Sequence, residues 1–595
     1  MKIVFQKVEQ WERVPNAESE LAQRFLLAAQ SLGLDCLATS NIKQIEAFNP
    51  DIVVPLHFYI PKLFDAFTIG CMWNPGNAIN HNNAWDNIKT YDGYGMASPG
   101  QEQLVRALKF KSPSEYLTTY LYPSANTTVY KEVEQFRKPA YIGSNWSKDR
   151  HHDFFISSKN IEIFGPLKSW AHLVTGQYMG ELPFDGKSYL KVYRDSGIGL
   201  ALHHPDHNNE GLPSMRPFEI SASGAVMIAD KNPFIIENFG DNVFYLDTDS
   251  ETKDLIEQFE SCIESIKSHP AKAKEMAYAC HEIFVKKFSL EICLENLISD
   301  VNEFKYSRKK RLQHFPGVDI VVRTDGEDLE KLYRALKSIR EQTYKLVTVL
   351  IVFRGSSEKK SQLKEKISAD FSDIKVDIVY YPEKPDRASQ FFIGLRAGHS
   401  EYVGFLDHDD ILFSDHIETL VGCLEDNRDV ILAYSGSLRI WEGGVPPDNS
   451  SIRELAFFHD QNDRQNLIRC ITSNSYLARR DKIPWSLMNQ PIPYMDKRED
   501  FVFLKLLYEK SFFLFSEKVT NAFYWRVSKN DNSAFDECAS NTSREILLNI
   551  MRKSTKLITY GNSTIEKVSI SRNMLRFLQA KIFFIIKRVR VHFRL

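Results

Sequence analysis

With 595 residues, the chain is too long for one ordinary domain, and we expect about three or four domain-sized units. Its composition, 43% hydrophobic and 26% charged residues, is that of a soluble globular protein, and its formal net charge of −2 gives no reason to expect a nucleic-acid partner. The eight scattered cysteines form no CxxC pair, which fits a reducing cytoplasm better than a disulfide scaffold or a zinc site.

Neither a signal peptide nor a membrane-spanning segment is predicted. Residues 1–14 lack an apolar core followed by small residues. No uninterrupted apolar run reaches about 18 residues, the length that a spanning helix needs. We therefore expect a cytoplasmic location.

The first half of the chain predicts two α/β blocks, because short apolar runs alternate with helical patterns. In the block 1–125, the pattern from Ala17 to Leu34 predicts an amphipathic helix, and strands are predicted at 1–5, 51–54 and 66–69. In the block 126–300, strands are predicted at about 139–143, 161–165, 198–202 and 224–228. Both blocks are expected to be Rossmann-like.

A basic stretch at 306–311 separates this half from the rest of the chain. Its periodicity is poor and it precedes Pro316 and Gly317, so residues 301–316 are interpreted as a linker. A solvated charge run is favoured over a binding patch. Another α/β unit is expected over 317–545, with strands at 318–322, 346–353, 376–380 and 402–406.

The acidic run from Asp407 through His408 and Asp409 to Asp410 directly follows the predicted strand 402–406. Open α/β sheets bind ligands beyond the carboxyl ends of their strands, so these carboxylates are expected at a binding edge. Two aspartates two positions apart can approach one cation, and oxygen ligands favour Mg²⁺ or Mn²⁺. A solvated loop or a helix N-cap explains an isolated acidic run equally well. His408 is interpreted as a spacer.

Further motifs stand around this acidic run in a fixed order. They are the opening strand 319–324, the helix end 336–344 (L-x-S-I-x-x-Q-T-Y), the segment 387–397, the segment 471–477, and the run 498–500 (R-E-D). In this order they resemble the inverting family 2 glycosyltransferases of the GT-A fold over about residues 317–526. The resemblance implies a nucleotide-sugar donor and a divalent metal ion.

The same resemblance implies roles for single residues. Asp409 would bind the metal ion, and Asp407 would bind the sugar nucleotide and contribute to the metal site. Asp500 and its neighbour Glu499 would form the catalytic pair, with Asp500 as the general base. A helix-start carboxylate without a catalytic role is the alternative for Asp500. The remaining donor contacts are expected from Arg323, Thr324 and Arg387.

One departure from the family lies after the second strand of this unit. The family has acidic residues there that recognise the nucleotide base, whereas this chain has Arg354. A cation in place of a carboxylate leaves the identity of the donor nucleotide open.

Residues 212–229 carry the strongest motif of the first half. Their pattern R-x-F-E-x-x-A-x-G resembles a segment of the CgeB-like and related family 1 and family 4 transferases, whose paired domains form a GT-B fold. The resemblance implies that Arg216, Glu219 and Gly224 bind a nucleotide sugar, with Glu219 on the ribose and the diphosphate at a helix N-terminus. A structural ion pair between Arg216 and Glu219 is the alternative.

Two nearby features stay open. Glu210 lies nine positions before Glu219, one more than in the common E-x7-E pair. The histidines of the run 203–207 are interpreted as an active-site loop rather than a metal site, because no fourth ligand of suitable spacing is evident. Their individual roles are left undecided; they are His203, His204 and His207.

The C-terminal segment 546–595 is predicted to be a basic amphipathic helical tail. From 567 onward it has eight basic residues and no acidic one, interleaved with apolar residues at helical spacing. Such a helix is typical of binding to a membrane surface. A helix packed on the catalytic domain is the alternative.

These features lead to the hypothesis of a bifunctional glycosyltransferase. It would extend a lipid-linked cell-surface polysaccharide, of the O-antigen or capsule type, at the inner face of the membrane. In one alternative, only the GT-A domain is catalytic and the N-terminal half is a degenerate binding module. In another, the chain is a non-catalytic, membrane-associated scaffold of polysaccharide assembly.

Overall fold

The computed structural model describes residues 1–8, 17–81, 84–109, 116–145, 151–170, 176–312, 314–380, 387–442, 452–455, 471–485, 499–508 and 510–526. The predicted tail at 546–595 lies outside these ranges. The described chain forms three sheets with helices between their strands, which confirms the α/β prediction. Among the described helices, none is long and apolar enough to cross a membrane.

The first sheet has six parallel strands in the order β2-β1-β3-β4-β5-β6. The elements of this domain are β1 (Lys2–Gln6), α1 (Ala17–Ser31), β2 (Asp35–Thr39), α2 (Ile42–Phe48), β3 (Ile52–Pro55), β4 (Phe67–Met72), α3 (Gly76–His81), α4 (Trp85–Lys89), β5 (Gly93–Met96), α5 (Pro99–Leu108) and β6 (Leu117–Tyr120). Strands β1 and β3 are buried on both faces. Ile3 and Ile52 pack with α1, whereas Val4 and Val53 point to the opposite face.

The second sheet also has six parallel strands, in the order β12-β11-β10-β7-β8-β9. Its domain consists of β7 (Ala140–Ile142), α6 (His152–Ser157), β8 (Glu162–Phe164), α7 (Leu167–Trp170), β9 (Tyr178–Gly180), α8 (Ser188–Ser196), β10 (Ile198–Ala201), α9 (Pro205–Asn209), α10 (Arg216–Ser223), β11 (Val226–Asp230), α11 (Pro233–Phe239), β12 (Phe244–Leu246), α12 (Thr252–Ser268), α13 (Pro270–Lys287) and α14 (Leu290–Leu312). The two parallel sheets confirm the predicted GT-B-like pair.

The last helix of this half corrects the linker predicted at 301–316. Helix α14 begins in the second domain, packs Leu294 and Leu297 against the first sheet, and continues through the basic run to Leu312. Lys and Arg are good helix formers, and their charges are favourable at a helix C-terminus. Tertiary contacts also favour the helix, because Arg308 forms an ion pair with Glu418 at 2.6 Å.

The third sheet is mixed, in the order β15-β14-β13-β16-β20-β18-β21-β17, with β19 paired to β18. Its domain consists of β13 (Val318–Thr324), α15 (Leu329–Arg340), β14 (Val347–Phe353), α16 (Ser357–Asp370), β15 (Lys375–Tyr380), α17 (Arg387–Ala397), β16 (Tyr402–Asp407), β17 (Ile411–Leu412), α18 (His416–Asp426), β18 (Leu432–Glu442), β19 (Arg453–Leu455), β20 (Tyr476–Arg479), α19 (Glu499–Tyr508) and β21 (Phe513–Arg526). Strands β13 to β16 are parallel, as expected for the nucleotide-binding part of a GT-A domain.

The first and third domains share a hydrophobic core. From the first domain it contains Ile60 and Phe64, and from the third it contains Phe413 and Val519. All four side chains are less than a tenth exposed. The two halves are therefore packed directly against each other.

Candidate active sites

The acidic run lies at the carboxyl end of β16, as predicted. Asp407 is the last residue of this strand and pairs in register with Arg323 on the neighbouring parallel strand β13. The Arg323 guanidinium donates to the Asp407 carboxylate, from Nε over 3.0 Å. Asp407 also accepts a hydrogen bond from Ser473 Oγ at 3.1 Å. Both contacts orient this carboxylate at the edge of the sheet.

Arg323 also reaches the start of α19, where its Nη1 donates to Glu499. The guanidinium is 5% exposed, and it joins the carboxylates of two separate elements. Burial lowers the pKa of Arg323, but the charges of Asp407 and Glu499 outweigh burial, and the net shift is upward. Arg323, which was predicted to contact the donor, is thus a buried bridge between strand end and helix start.

The other two carboxylates of the run have different surroundings. Asp409 is partly exposed, and its carbonyl accepts a hydrogen bond from Arg334 at 2.7 Å. Asp410 is 9% exposed and accepts from the backbone N–H of Tyr524 at 3.1 Å. Burial, and then the charges of Asp409 and Asp407, raise the pKa of Asp410 well above its usual value. Three carboxylates are therefore crowded in one turn.

The remaining predicted residues of this half fall around the same edge. Asp500 is partly buried in the first turn of α19, and its carboxylate accepts from the N–H of Phe501 at 2.8 Å. Thr324 is buried at the end of β13, where its hydroxyl accepts from Gly326 N–H at 3.0 Å. Arg387 begins α17, but its side chain lies outside the described set.

In the part of the chain that the structure describes, no group of three or more His, Cys, Asp and Glu side chains is placed to hold a metal ion. Asp407 and Asp409 are the two candidate ligands. Sequence reasoning missed Ser473 as a partner of Asp407, although the segment 471–477 was among the motifs. The run of hydroxyl and amide residues from Thr472 to Ser475 in that segment was the available signal.

The N-terminal half contains a cavity of about 1190 Å³ between its two parallel sheets. Residues of both domains line it, among them Arg24 and Trp73 from the first and His203, Arg216 and Glu219 from the second. A cavity of this size at the carboxyl ends of parallel strands is typical of a ligand site.

Glu219 forms its ion pair with Arg24 rather than with Arg216. Arg24 lies on α1 of the first domain, and its Nη2 donates to Glu219 at 2.6 Å, while Nε donates to Glu20 at 3.0 Å. Arg24 is 1% exposed and Glu219 is 3% exposed. The alternative to nucleotide binding, a structural ion pair between Arg216 and Glu219, is therefore not what the structure contains, and the predicted nucleotide contacts of both residues stay a prediction. Arg24 was missed, although an arginine four positions after a glutamate on an apolar helix face was a signal for it.

Arg216 stands at the first position of α10, beside the cavity. Its Nη2 donates to the Leu202 carbonyl at 2.6 Å, and its guanidinium lies over the Tyr141 ring at 5.0 Å. The buried Nε has no hydrogen-bond partner among the described residues. An unsatisfied buried N–H is costly, so an acceptor that reached this nitrogen would be held strongly.

Gly224 has a different position from Arg216 and Glu219. It ends α10 as the C-cap, with φ of 76°, and it is not among the residues that line the cavity. A Cβ at this position would lie 2.7 Å from the carbonyl oxygen of Lys131. The glycine is thus required by the turn.

The three histidines of the run 203–207 all line the cavity, and two of them also hold the local structure. His203 is 1% exposed, with Nδ1 at 2.8 Å from Asp230 and Nε2 accepting from Ser214 N–H at 3.0 Å. His204 is the N-cap of α9. This position beside the cavity is the one expected of an active-site loop. Glu210 accepts from Gly76 N–H at 2.8 Å and so connects the two domains.

Comparison with protein-family models places one glycosyltransferase domain in each half. Residues 319–483 match the family model described as glycosyl transferase family 2. Residues 145–299 match the model described as glycosyl transferase-like. These two matches confirm the pair of glycosyltransferase domains that the motifs predicted.

Curated relatives match only segments of the chain. An uncharacterised glycosyltransferase of Rickettsia conorii is 32% identical over 122 residues, which are 19% of this chain and 19% of the relative. An uncharacterised glycosyltransferase of Methanocaldococcus jannaschii is 27% identical over 131 residues, 22% of this chain and 44% of the relative. The chain thus spans less than half the length of these two relatives.

Solved structures also show partial likenesses. Staphylococcus aureus TarS residues 1–349, in complex with UDP-GlcNAc, has a TM-score of 0.32 and 16% identity, and the alignment covers 42% of this chain and 68% of that one. GalNAc-T7 with UDP, GalNAc and Mn²⁺ has a TM-score of 0.30 and 13% identity, covering 40% of this chain and 50% of that one.

Proposed function

We propose that this chain, which carries domains of two glycosyltransferase families, transfers sugars from nucleotide-sugar donors at two separate centres. The observation that carries the proposal is the acidic edge of the third sheet. There Asp407 and Asp409 follow a buried parallel strand, and α19 begins with Glu499 and Asp500 beside it. Ligands of open α/β sheets bind at such an edge.

The proposed cofactor of the C-terminal centre is Mg²⁺ or Mn²⁺. Asp407 at the end of β16 and Asp409 two residues later supply carboxylate oxygens, the ligands that a hard divalent cation prefers. Asp409 and Asp407 would hold the ion. When bound, the ion supplies positive charge to the diphosphate that leaves.

Asp500 is proposed as the general base of an inverting transfer. Its carboxylate takes the proton of the acceptor hydroxyl while that oxygen bonds to the anomeric carbon and the bond from this carbon to the diphosphate oxygen breaks. The helix N-terminus stabilises the carboxylate anion before the reaction. Arg323, held by Asp407 and Glu499, fixes the distance between the strand end and the helix that carries the base.

The second donor is proposed to bind in the cavity of the N-terminal half. There the positive charge comes from the protein, namely the Arg216 guanidinium and the N–H groups at the start of α10. The Nε of Arg216, which has no hydrogen-bond partner among the described residues, is the proposed donor to a phosphate oxygen. Glu219, which Arg24 holds, is proposed to accept from a ribose hydroxyl. The alternative is that this half binds without catalysing.

A lipid-linked polysaccharide chain, of the O-antigen or capsule type, is the proposed acceptor, at the inner face of the membrane. Support comes from the sequence of residues 567–595, whose eight basic residues would be attracted to anionic lipids. A membrane-bound acceptor and a membrane-bound enzyme meet more often than two freely diffusing molecules. A non-catalytic scaffold for polysaccharide assembly is the alternative.

A donor screen on the full chain tests the two-centre proposal. Wild type, Asp409→Asn and Arg216→Met are incubated with a panel of nucleotide sugars, Mg²⁺ or Mn²⁺, and a synthetic lipid-linked acceptor, and products are identified by mass spectrometry. We expect Asp409→Asn to lose one sugar addition and Arg216→Met to lose the other. Exposed residues provide the matched controls Asp373→Asn and Arg106→Met, which should keep both.

Each alternative has its own outcome. If Asp409→Asn retains both additions, the C-terminal assignment is wrong. If only one addition is ever seen and Arg216→Met retains it, the N-terminal half is a binding module. No turnover by the wild type across the panel would support the scaffold.

A further inference from the structure

The turn that follows the acidic run is fixed by backbone hydrogen bonds within the third domain. Phe413 N–H donates to the Thr520 carbonyl at 2.8 Å, and Thr343 N–H donates to the Ser414 carbonyl at 2.8 Å. Only three residues separate Asp410 from Ser414. A displacement of this turn would therefore also move Asp409 and Asp410, because the chain between them is short and hydrogen-bonded.

The same turn is held from the other half of the protein by a carboxylate. Asp65, which lies between β3 and β4 of the first domain, accepts from Ser414 N–H at 2.9 and 3.0 Å through its two oxygens. Asp65 Oδ1 also accepts from Ser414 Oγ at 2.9 Å. Hydrogen bonds to an ionised acceptor are stronger than neutral ones. One side chain of the N-terminal half thus binds both polar groups of a residue in the C-terminal turn.

Beside this contact lies a buried ring of alternating charge. Lys62 and Asp92 come from the first domain, with Nζ and Oδ2 2.9 Å apart, and Asp415 and Lys518 come from the third. Lys518 lies 3.4 Å from Asp92, and Lys62 lies 3.9 Å from Asp415. Lys62, Asp92 and Lys518 are at most 2% exposed.

The alternation fixes one relative placement of the two domains. Buried charges are costly unless each has its partner in place, so a shift that separates Lys62 from Asp415 or Lys518 from Asp92 is opposed. The surrounding apolar core, which includes Phe64 and Phe413, adds attraction that does not depend on direction.

We propose that the N-terminal half is a structural part of the C-terminal transferase centre, with Lys62 and Asp65 as positioning residues for the turn that follows Asp409 and Asp410. This inference rests on the proposed function of the acidic run as the metal site of the transferase. It gives the N-terminal half a second role, which holds whether or not its own cavity catalyses.

Variants of the full chain at the rim of this contact test the proposal. Asp65→Ala removes both acceptors from Ser414, whereas Asp65→Asn keeps one side-chain oxygen. Asp35→Ala, an exposed aspartate of the same domain, is the matched control. The measurements are the Mn²⁺ dissociation constant by calorimetry, and kcat, KM and the half-saturating Mn²⁺ concentration of C-terminal transfer.

We expect Asp65→Ala to weaken Mn²⁺ binding and lower kcat by about 10-fold, because small misplacements of a site from remote changes cost factors of 10 to 100. Asp65→Asn should recover part of this loss, and Asp35→Ala should match the wild type. A merely structural role would reduce the amount of folded protein without moving the Mn²⁺ dissociation constant of the folded fraction.

Equal Mn²⁺ affinity and kcat in Asp65→Ala and the wild type would overturn the positioning role. If Asp65→Ala does not fold, Ser414→Ala, which removes only the Oγ contact, is measured instead with the same expected direction. Wild type that binds Mn²⁺ but transfers no sugar would contradict the proposed function alone, because the calorimetric comparison needs no turnover. Wild type that binds no Mn²⁺ would overturn both.

Discussion

Both candidate centres contain a buried arginine that bridges two carboxylates, but they differ in the sign of the charge that faces a ligand. In each, a buried arginine joins carboxylates from separate elements: Arg323 joins Asp407 and Glu499, and Arg24 joins Glu20 and Glu219. Such a bridge locks two elements while hiding the positive charge. The bridge is therefore scaffolding, and the specificity of each centre depends on the groups around it.

Those surrounding groups have opposite signs. At the edge of the third sheet, Asp409 is partly exposed beside the buried Asp410, whose pKa is raised by burial and by its acidic neighbours. In the N-terminal half, Arg216 lines the cavity, and its Nε has no hydrogen-bond partner in the part of the chain that the structure describes. Under the proposed function, a donor diphosphate needs a metal ion at the first centre, whereas Arg216 supplies the positive charge at the second. Two domains of related activity can thus differ in their need for metal.

Removal of the metal ion is the change with the largest expected effect. A chelator should reduce C-terminal transfer at least about 100-fold, because several kcal/mol of charge stabilisation depend on the ion. Donor binding in the N-terminal cavity should be unchanged, since Arg216 and helix N–H groups supply its positive charge. Both are measured on one preparation, by product mass and by calorimetry, with Mn²⁺ added back as the control. If chelation reduced C-terminal transfer and N-terminal donor binding equally, the proposed difference in metal dependence would be contradicted.

Loss of either bridging arginine comes next. Arg323→Met and Arg24→Met should each lower the free energy of unfolding by about 3–5 kcal/mol, because carboxylates are left buried and unpaired. The first variant should lose C-terminal transfer, and the second should lose donor binding in the cavity. Thermal unfolding and both assays are the measurements, with exposed Arg106→Met as the control. An unchanged unfolding temperature in either variant would show that the arginine bridge does not stabilise that centre.

Acid should destabilise the third domain through His416, and the first domain through His57, since burial also lowers the pKa of the His57 imidazole to about 4. Burial lowers the pKa of the His416 imidazole to about 4. The folded state favours the neutral imidazole. The full stability of the folded protein is therefore present above pH 6.5, and it decreases as the pH falls toward 4 because only the unfolded state binds the proton. This pKa shift corresponds to a loss of about 3 kcal/mol in the free energy of unfolding.

The measurement for His416 is the thermal unfolding temperature between pH 7 and 4. His416→Gln should show a shallower fall than the wild type over this range, whereas His269→Gln, an exposed histidine of the N-terminal half, should follow the wild type. Parallel curves for His416→Gln and the wild type would show that this histidine does not set the acid sensitivity.

The smallest expected effect concerns Gly224. Its φ of 76° and the nearby Lys131 carbonyl disfavour any side chain, so Gly224→Ala should cost about 1–2 kcal/mol of stability. Because the residue ends α10 and does not line the cavity, donor affinity below the unfolding transition should be unchanged. Gly33→Ala is the control, because Gly33 has a similar φ of 69° but an added Cβ would have no described neighbour within 4 Å. It therefore tests the backbone conformation separately from the steric clash. Weakened donor binding would instead support the role implied by the motif.

The sequence by itself determined the elements that depend on local pattern. Apolar runs located strands such as β13 and β16, because buried parallel strands are continuous hydrophobic segments. It also located Asp407 and Asp409 at a strand end, since that requires only the order of residues. Both glycosyltransferase domains followed from motifs of this kind.

Tertiary structure decided which distant residues meet. Glu219 pairs with Arg24, 195 positions away, and Arg323 with Glu499, 176 positions away, and no local pattern encodes either distance. The basic run up to Leu312 continues helix α14, and Arg308 within it pairs with Glu418 of another domain, which the local sequence does not specify. Contacts between halves depend on how whole sheets pack, and so the support that Asp65 gives to the acidic turn became visible only in the folded chain.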